Sequence, residues 1–193
     1  YTAIELGENF VDLMKKKFGS YSNCQIIHGD FETYALESNG YDLLFSAAAF
    51  QWIPEKIGYP KAYDLLKSGG TFAMFMMRPD MQPGGGYTDE PLYSRIQAVY
   101  ADFFHPETAY TCKLDYDARE RYGFVDLECR EYRKTREYKA DDYVSLIGTH
   151  SDHLTLKEPD KSKFYSSIRE AIINLGNKIT LYDKIILYLA KKP

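Results

Sequence analysis

Short β-prone runs alternate with amphipathic helical segments over residues 1–77, and this alternation limits the possible folds more than any other feature of the sequence. It predicts strands at 1–6, 24–28, 41–46 and 71–77, and helices at 9–18 and 54–66. The connections are long enough for crossovers between parallel strands. The pattern therefore predicts an α/β fold built on a parallel sheet.

The later sequence continues the alternation with longer elements. Helices are predicted at 90–104, 140–148 and 161–175, and strands at 124–132 and 179–190. A Pro- and Gly-rich loop is expected at 79–86, and a short helix at 31–38. Gly58 and Pro60 predict broken first turns in the helix at 54–66, and the Ser68-Gly69-Gly70 run predicts a turn after that helix.

Charge and composition exclude several classes of function. The 193 residues contain 24 basic and 28 acidic side chains, so a net charge of −4 gives no general attraction to nucleic acid or to anionic lipid. The longest apolar runs fall far short of the roughly 20 residues that span a bilayer. Three dispersed cysteines suit a reducing cytoplasm better than a disulfide framework or a zinc site. We expect no nucleic-acid or membrane partner and no metal.

Two carboxylates follow neighbouring predicted strands. In open parallel sheets, ligands bind beyond the carboxyl ends of the strands. Glu5 there could accept hydrogen bonds from a ribose diol, or it could be a solvated carboxylate at a strand end. Asp30 could accept from an adenine amine beside the Phe31 backbone amide, or it could form an Asx-turn. The pair together favours a nucleoside site.

Small residues, including Ser46 and Ala47, follow the third predicted strand and would let a ligand approach the backbone. Gln51 and Trp52 come next. Trp52, the single tryptophan, could line a substrate pocket or pack as a core aromatic side chain. No nucleophile elbow or Cys-His dyad has supporting spacing, so no catalytic residue is assigned.

Four motifs, in order, resemble those of class I S-adenosylmethionine-dependent methyltransferases, in the small-molecule branch that includes trans-aconitate methyltransferase. They are Y-T-A-I-E-L-G, I-I-H-G-D-F-E, Y-D-L-L-F-S-A-A-A-F-Q-W-I and L-L-K-S-G-G-T-F-A. The resemblance implies a Rossmann-like mixed sheet with strand order 3-2-1-4-5-7-6, flanked by helices. It implies cofactor contacts at Glu5, Leu6, Asp30, Phe31, Ser46 and Ala47.

The implied activity is methyl transfer from S-adenosylmethionine to a small-molecule acceptor, with S-adenosylhomocysteine as product. Residues 1–78 would form the cofactor-binding core, and residues 79–193 would supply the acceptor side and the last strands of one structural domain. Gln51, Trp52 and Arg78 are candidate acceptor contacts. The acceptor and the oligomeric state are not assigned.

The sequence departs from the family pattern in two ways. Gln51 stands where many relatives have histidine. The family's first strand and Gly-x-Gly loop are not recognisable, so we expect an N-terminally incomplete core. Two alternatives follow: a truncated or degenerate non-catalytic module of the same fold, or a nicotinamide-dependent oxidoreductase.

Overall fold

The alternation of strands and helices is confirmed by a computed structural model, which describes residues 1–79, 90–103, 114–150, 153 and 156–193. The strands are β1 (Thr2–Glu5), β2 (Gln25–His28), β3 (Tyr41–Ala47), β4 (Leu66–Pro79), β5 (Val125–Tyr138) and β6 (Ile179–Lys191). The α-helices are α1 (Glu8–Phe18), α2 (Glu55–Leu65), α3 (Glu90–Phe103), α4 (Ala140–Ile147) and α5 (Asp160–Asn174). Two 3₁₀ helices span Phe50–Trp52 and Tyr116–Tyr122.

Three local predictions between residues 31 and 70 were wrong. Residues 31–38 form turns rather than a helix. Helix α2 is unbroken, because Ile57 and Gly58 both donate backbone hydrogen bonds to the Pro54 carbonyl and close its first turn. Gly58 instead serves packing, since a Cβ there would lie 2.7 Å from the Phe50 ring.

The Ser68-Gly69-Gly70 run does not form a turn after α2, because strand β4 begins immediately at Leu66. Gly69 adopts a left-handed φ of 78° within this strand. Its backbone N–H donates to the Lys192 carbonyl, and Lys192 donates back to Gly70. Pairing with the C-terminal segment therefore carries the chain through a glycine-dependent irregularity. The loop expected at 79–86 lies almost wholly outside the described residues.

The strands form two sheets among the described residues. Strands β1 and β2 pair in parallel, with Thr2 opposite Gln25 and Glu5 opposite His28. The other sheet has the order β3-β4-β6-β5. Within the described ranges, no strand pairs with the free edge of β1 or with the edge of β3 that faces away from β4. In the strand numbering that the resemblance implies, the two sheets have the orders 3-2 and 4-5-7-6.

The chain forms two compact units, and β4, β5 and β6 each run through both. The first unit comprises residues 1–74, 112–128 and 188–193. Its core is aromatic: the Phe50 ring centroid lies 5.3 Å from that of Tyr59 and 5.0 Å from that of Phe72, and Phe124 lies 5.6 Å from Phe72. All four of these side chains are buried. This cluster connects the segment after β3 with helix α2 and strand β4.

The second unit comprises residues 75–111 and 129–187 and has a core formed mainly by helices. Buried apolar side chains of α3, α4 and α5 pack together, including Leu92, Ile96, Tyr143, Phe164 and Ile168. This confirms the apolar faces predicted for α3 and α5. Within the described ranges, no helix is long and apolar enough to span a bilayer.

Candidate functional site

The turn that follows β1 is held by its own polar groups. The Glu5 carboxylate accepts a hydrogen bond from the Gly7 backbone N–H at 2.7 Å. From the paired strand, His28 Nε2 donates to the Leu6 carbonyl oxygen at 3.1 Å. The Leu6 side chain itself is exposed. His28, which the sequence analysis missed, therefore helps fix the turn that carries Glu5.

The turn that follows β2 is an Asx-turn. Asp30 Oδ1 accepts a hydrogen bond from the Glu32 backbone N–H at 2.8 Å, and the Tyr34 N–H donates to the Asp30 carbonyl, also at 2.8 Å. Gly29 permits this turn, because a Cβ there would lie 2.8 Å from the Tyr34 ring. Asp30 therefore forms the Asx-turn that was the alternative to an adenine contact, although no helix follows this turn. It leaves acceptor capacity on the carboxylate, since an ionised carboxylate offers about four lone-pair positions.

The Phe31 ring connects the turn after β2 with the segment after β3. Its centroid lies 6.4 Å from that of Phe50, in an edge-to-face arrangement. Because β1 and β2 are paired and parallel, Glu5 and Asp30 already belong to one end of the same two-stranded sheet. The structure thus brings together three of the predicted site segments, those that follow β1, β2 and β3.

A strained residue lies at the end of β3. Ser46 is half-buried and Ala47 is exposed, as expected for small residues at a strand end. The next residue, Ala48, has a left-handed φ of 52°. This conformation costs an L-residue roughly 1–2 kcal/mol and is uncommon without glycine. Sequence reasoning did not find this strain, because alanine carries no turn signal.

Ala48→Gly is expected to stabilise the chain by about 0.5–1 kcal/mol, because glycine removes the left-handed strain. At roughly 2–4 °C per kcal/mol, the melting temperature would rise by about 1–4 °C. The matched control is Ala49→Gly at a φ of −120°, where glycine only adds entropy to the unfolded chain and lowers stability. Thermal unfolding by circular dichroism measures both, and a destabilised Ala48→Gly protein would contradict the expectation.

Gln51 and Trp52 lie in the 3₁₀ helix after β3 and have different surroundings. The Gln51 side-chain oxygen accepts a hydrogen bond from the Tyr116 hydroxyl at 3.4 Å, and the Tyr116 ring stacks on Tyr188 with centroids 4.6 Å apart. Trp52 is 55% exposed, so the alternative of a core aromatic at this position is wrong. Phe50 occupies the core instead.

Tyr59 is a buried hydrogen-bond donor on helix α2. Burial raises the pKa of the Tyr59 hydroxyl well above its usual range, so the group stays protonated. As a donor, it forms a 2.9 Å hydrogen bond to the Asp115 carbonyl. Tyr59 thus holds helix α2 to the segment that carries Tyr116.

Arg78 lies in the part of β4 that belongs to the second unit, where its Nε donates to the Met76 sulfur at 2.7 Å. Its role toward an acceptor stays a prediction. Two surface concavities, one lined by Glu120 and residues 123–127 and the other by residues between 135 and 182, include no predicted site residue. Within the described parts of the chain, no cluster of three or more His, Cys, Asp or Glu could hold a metal ion.

A family comparison and a comparison with solved structures both find methyltransferases. Residues 1–74 match the family described as a methyltransferase domain. The whole chain aligns with phosphoethanolamine N-methyltransferase 2 of Haemonchus contortus, solved with S-adenosylhomocysteine, at a TM-score of 0.51 and 14% identity, and covers 43% of that chain. The chain therefore has the α/β fold of class I methyltransferases, and its residues 1–74 are similar to a methyltransferase domain.

Two curated relatives share one name. Demethylmenaquinone methyltransferase of Staphylococcus aureus is 24% identical over 173 residues, which are 84% of this chain and 67% of that protein. The enzyme of the same name from Staphylococcus epidermidis is 26% identical over 106 residues, which are 54% of this chain and 41% of that protein. The chain thus spans between about two fifths and two thirds of these relatives.

The two carboxylates at the strand ends keep free acceptor positions, which is the donor–acceptor chemistry that the hydroxyls and amine of S-adenosylmethionine would require. Among the described residues, the Glu5 and Asp30 carboxylates each accept one hydrogen bond, and both of these come from backbone N–H groups of their own turns. Each carboxylate keeps lone pairs for a ligand hydroxyl or amine. The bound cofactor supplies a methyl group already activated on a sulfonium.

Proposed function

We propose that this chain is the catalytic domain of a methyltransferase that transfers the methyl group of S-adenosylmethionine to a small-molecule acceptor. The observation that carries the proposal is the position of two carboxylates, Glu5 and Asp30, after paired parallel strands, each fixed by its own turn. The curated relatives support a small-molecule acceptor, because their names state that they methylate demethylmenaquinone.

In this proposal, each residue at the strand ends binds or orients a part of the cofactor. Glu5 accepts from the ribose hydroxyls beside the Leu6 backbone, and Asp30 accepts from the adenine amine while the Phe31 N–H donates to the ring. Ser46 and Ala47 border the methionine part. Such positioning can supply several kcal/mol toward methyl transfer without a covalent intermediate.

The acceptor contacts are proposed at Gln51, Trp52 and Arg78. Trp52 offers an exposed indole next to the β3 end, and the hydrogen bond from Tyr116 fixes the Gln51 amide. Arg78 would suit an anionic group on the acceptor, since arginine binds carboxylates through two parallel hydrogen bonds.

We also propose that one more strand pairs between β1 and β3, as the family's strand order implies. Its support is the pair of unmatched strand edges and the exposure of large apolar side chains beside them, such as Leu43 and Phe45 of β3. Backbone groups on those edges would gain hydrogen bonds from such a strand. Under this proposal, residues 1–78 are the cofactor side and 79–193 the acceptor side of the protein.

Thermal unfolding with and without S-adenosylhomocysteine tests the proposed function. Ligand at 100 times its dissociation constant stabilises a protein by about 2.7 kcal/mol. At roughly 2–4 °C per kcal/mol, the expected rise in melting temperature is about 5–11 °C. The double variant Glu5→Ala/Asp30→Ala serves as the control and should show no rise. An unchanged melting temperature of the unaltered chain at millimolar ligand would favour the non-catalytic module.

We propose a cytoplasmic location on separate grounds. The two cysteines that the structure describes, Cys24 and Cys129, are free thiols, as is usual in a reducing compartment.

A further inference from the structure

The turn after β2 is contacted by a side chain from helix α2. Residues 31–34 form no regular element, so several of their carbonyl oxygens have no partner in a helix or sheet. Lys61 supplies the partner: its Nζ donates to the Tyr34 carbonyl oxygen at 2.6 Å and lies 3.4 Å from the Glu32 carbonyl oxygen. The same Nζ lies 5.2 Å from the centroid of the Phe31 ring, within the range of a cation–π contact.

Lys61 lies beside fully buried residues of helix α2. Its neighbours on the buried side of α2, Tyr59 and Ala62, are fully buried, and the side chain of Lys61 is half-buried. Three contacts from one half-buried ammonium to one turn are more than a solvated surface lysine makes. Lys56, on the same helix, is exposed and makes no such contact among the described residues.

We propose that Lys61 is a positioning residue that holds the Asp30-Phe31 turn in the conformation that binds the adenine ring. The inference rests on the proposed function, since it assigns Asp30 and Phe31 to the adenine. In this proposal Lys61 does not act through the charge of Asp30. It acts by binding the Glu32 and Tyr34 carbonyl oxygens. The Asp30 carboxylate and the Phe31 N–H then keep the positions in which they bind adenine.

Two ligands separate this role from general stability. S-Inosylhomocysteine differs from S-adenosylhomocysteine in carrying a carbonyl oxygen where adenine has its exocyclic amine. A carboxylate that accepts from the amine should therefore discriminate between them by about tenfold or more. The ratio of the two dissociation constants, measured by titration calorimetry, reports how well the site recognises the adenine amine. A general loss of protein stability would leave this ratio unchanged.

In Lys61→Met, the ratio is expected to fall to about threefold or less, through weaker binding of S-adenosylhomocysteine and little change for S-inosylhomocysteine. Lys61→Arg retains the charge and the donors and should keep most of the discrimination. Lys56→Met is the matched control and should behave as the unaltered chain. Equal weakening of both ligands in Lys61→Met, or an unchanged ratio, would overturn the inference.

Hydrogen exchange without ligand keeps the test independent of the proposed function. The backbone N–H groups of Glu32 and Tyr34 are hydrogen-bonded inside the turn, to Asp30 Oδ1 and to the Asp30 carbonyl oxygen. In Lys61→Met both should exchange about tenfold faster or more, while the β2 amides keep their rates. Unchanged exchange at Glu32 and Tyr34 would refute the positioning role even if the chain bound no ligand. Failure of the unaltered chain to bind either ligand, together with faster exchange, would refute the proposed function alone.

Discussion

Glu5→Ala is expected to weaken S-adenosylhomocysteine binding by about 10- to 150-fold, which corresponds to about 1.5–3 kcal/mol for hydrogen bonds to a charged group. The carboxylate lies at the end of a strand paired in parallel with β2, and only the Gly7 N–H binds it among the described residues. Its remaining lone pairs are the acceptors proposed for the ribose. Titration calorimetry measures the loss.

Two companion variants separate ligand binding from the local turn. Glu5→Gln keeps an oxygen that can accept from Gly7 but replaces the second acceptor with a donor, so the turn survives while ribose binding weakens. Glu8→Ala removes a carboxylate from the exposed first turn of α1 and should leave affinity unchanged. Unaltered affinity in Glu5→Ala would show that this carboxylate does not face the ribose.

Arg119→Met is expected to lower the free energy of unfolding by about 3–5 kcal/mol, because it leaves three carbonyl oxygens without their hydrogen-bond donor. Arg119 is only 2% exposed. Its Nε donates to the Tyr116 carbonyl at 2.8 Å, and one terminal nitrogen donates to the carbonyls of Leu189 at 2.5 Å and Glu128 at 3.2 Å. Methionine keeps the apolar stem and removes the guanidinium, so the loss reports these hydrogen bonds together with the Asp117 ion pair and the cation–π contact with Tyr188.

Arg121→Met is the matched control on the same 3₁₀ helix. Its guanidinium is largely exposed and pairs with Glu55 and Asp115 at 3.1 and 3.0 Å. Exposed pairs of this kind contribute about 1 kcal/mol or less. Urea unfolding followed by circular dichroism compares the two variants. Similar losses in both would mean that Arg119 is not the central donor of this part of the first unit.

The carboxylates of the candidate site were predictable because they follow a simple local rule. A β-prone run that ends in an acid and a glycine places that acid at a strand end, and two such runs in an α/β pattern place both at one end of a sheet. The supporting groups were not predictable in this way. His28 reaches Leu6 across 22 residues and Lys61 reaches Tyr34 across 27, and neither has a spacing that marks it.

Apolar periodicity predicted most of the helices, and short β-prone runs predicted the strands. These patterns failed where tertiary contacts outweighed local propensity. Helix α2 runs through Pro60, and β4 extends through Gly69 because the C-terminal segment supplies the partner at Lys192.

The structure alone decided which polar side chains are buried and what they hold. Arg119 and Arg121 stand two residues apart in one short helix, yet one is enclosed among carbonyls and the other is exposed. Composition and spacing treat them alike. The difference comes from chain segments distant in sequence, such as that of Leu189, and a local pattern carries no information about which distant groups will meet.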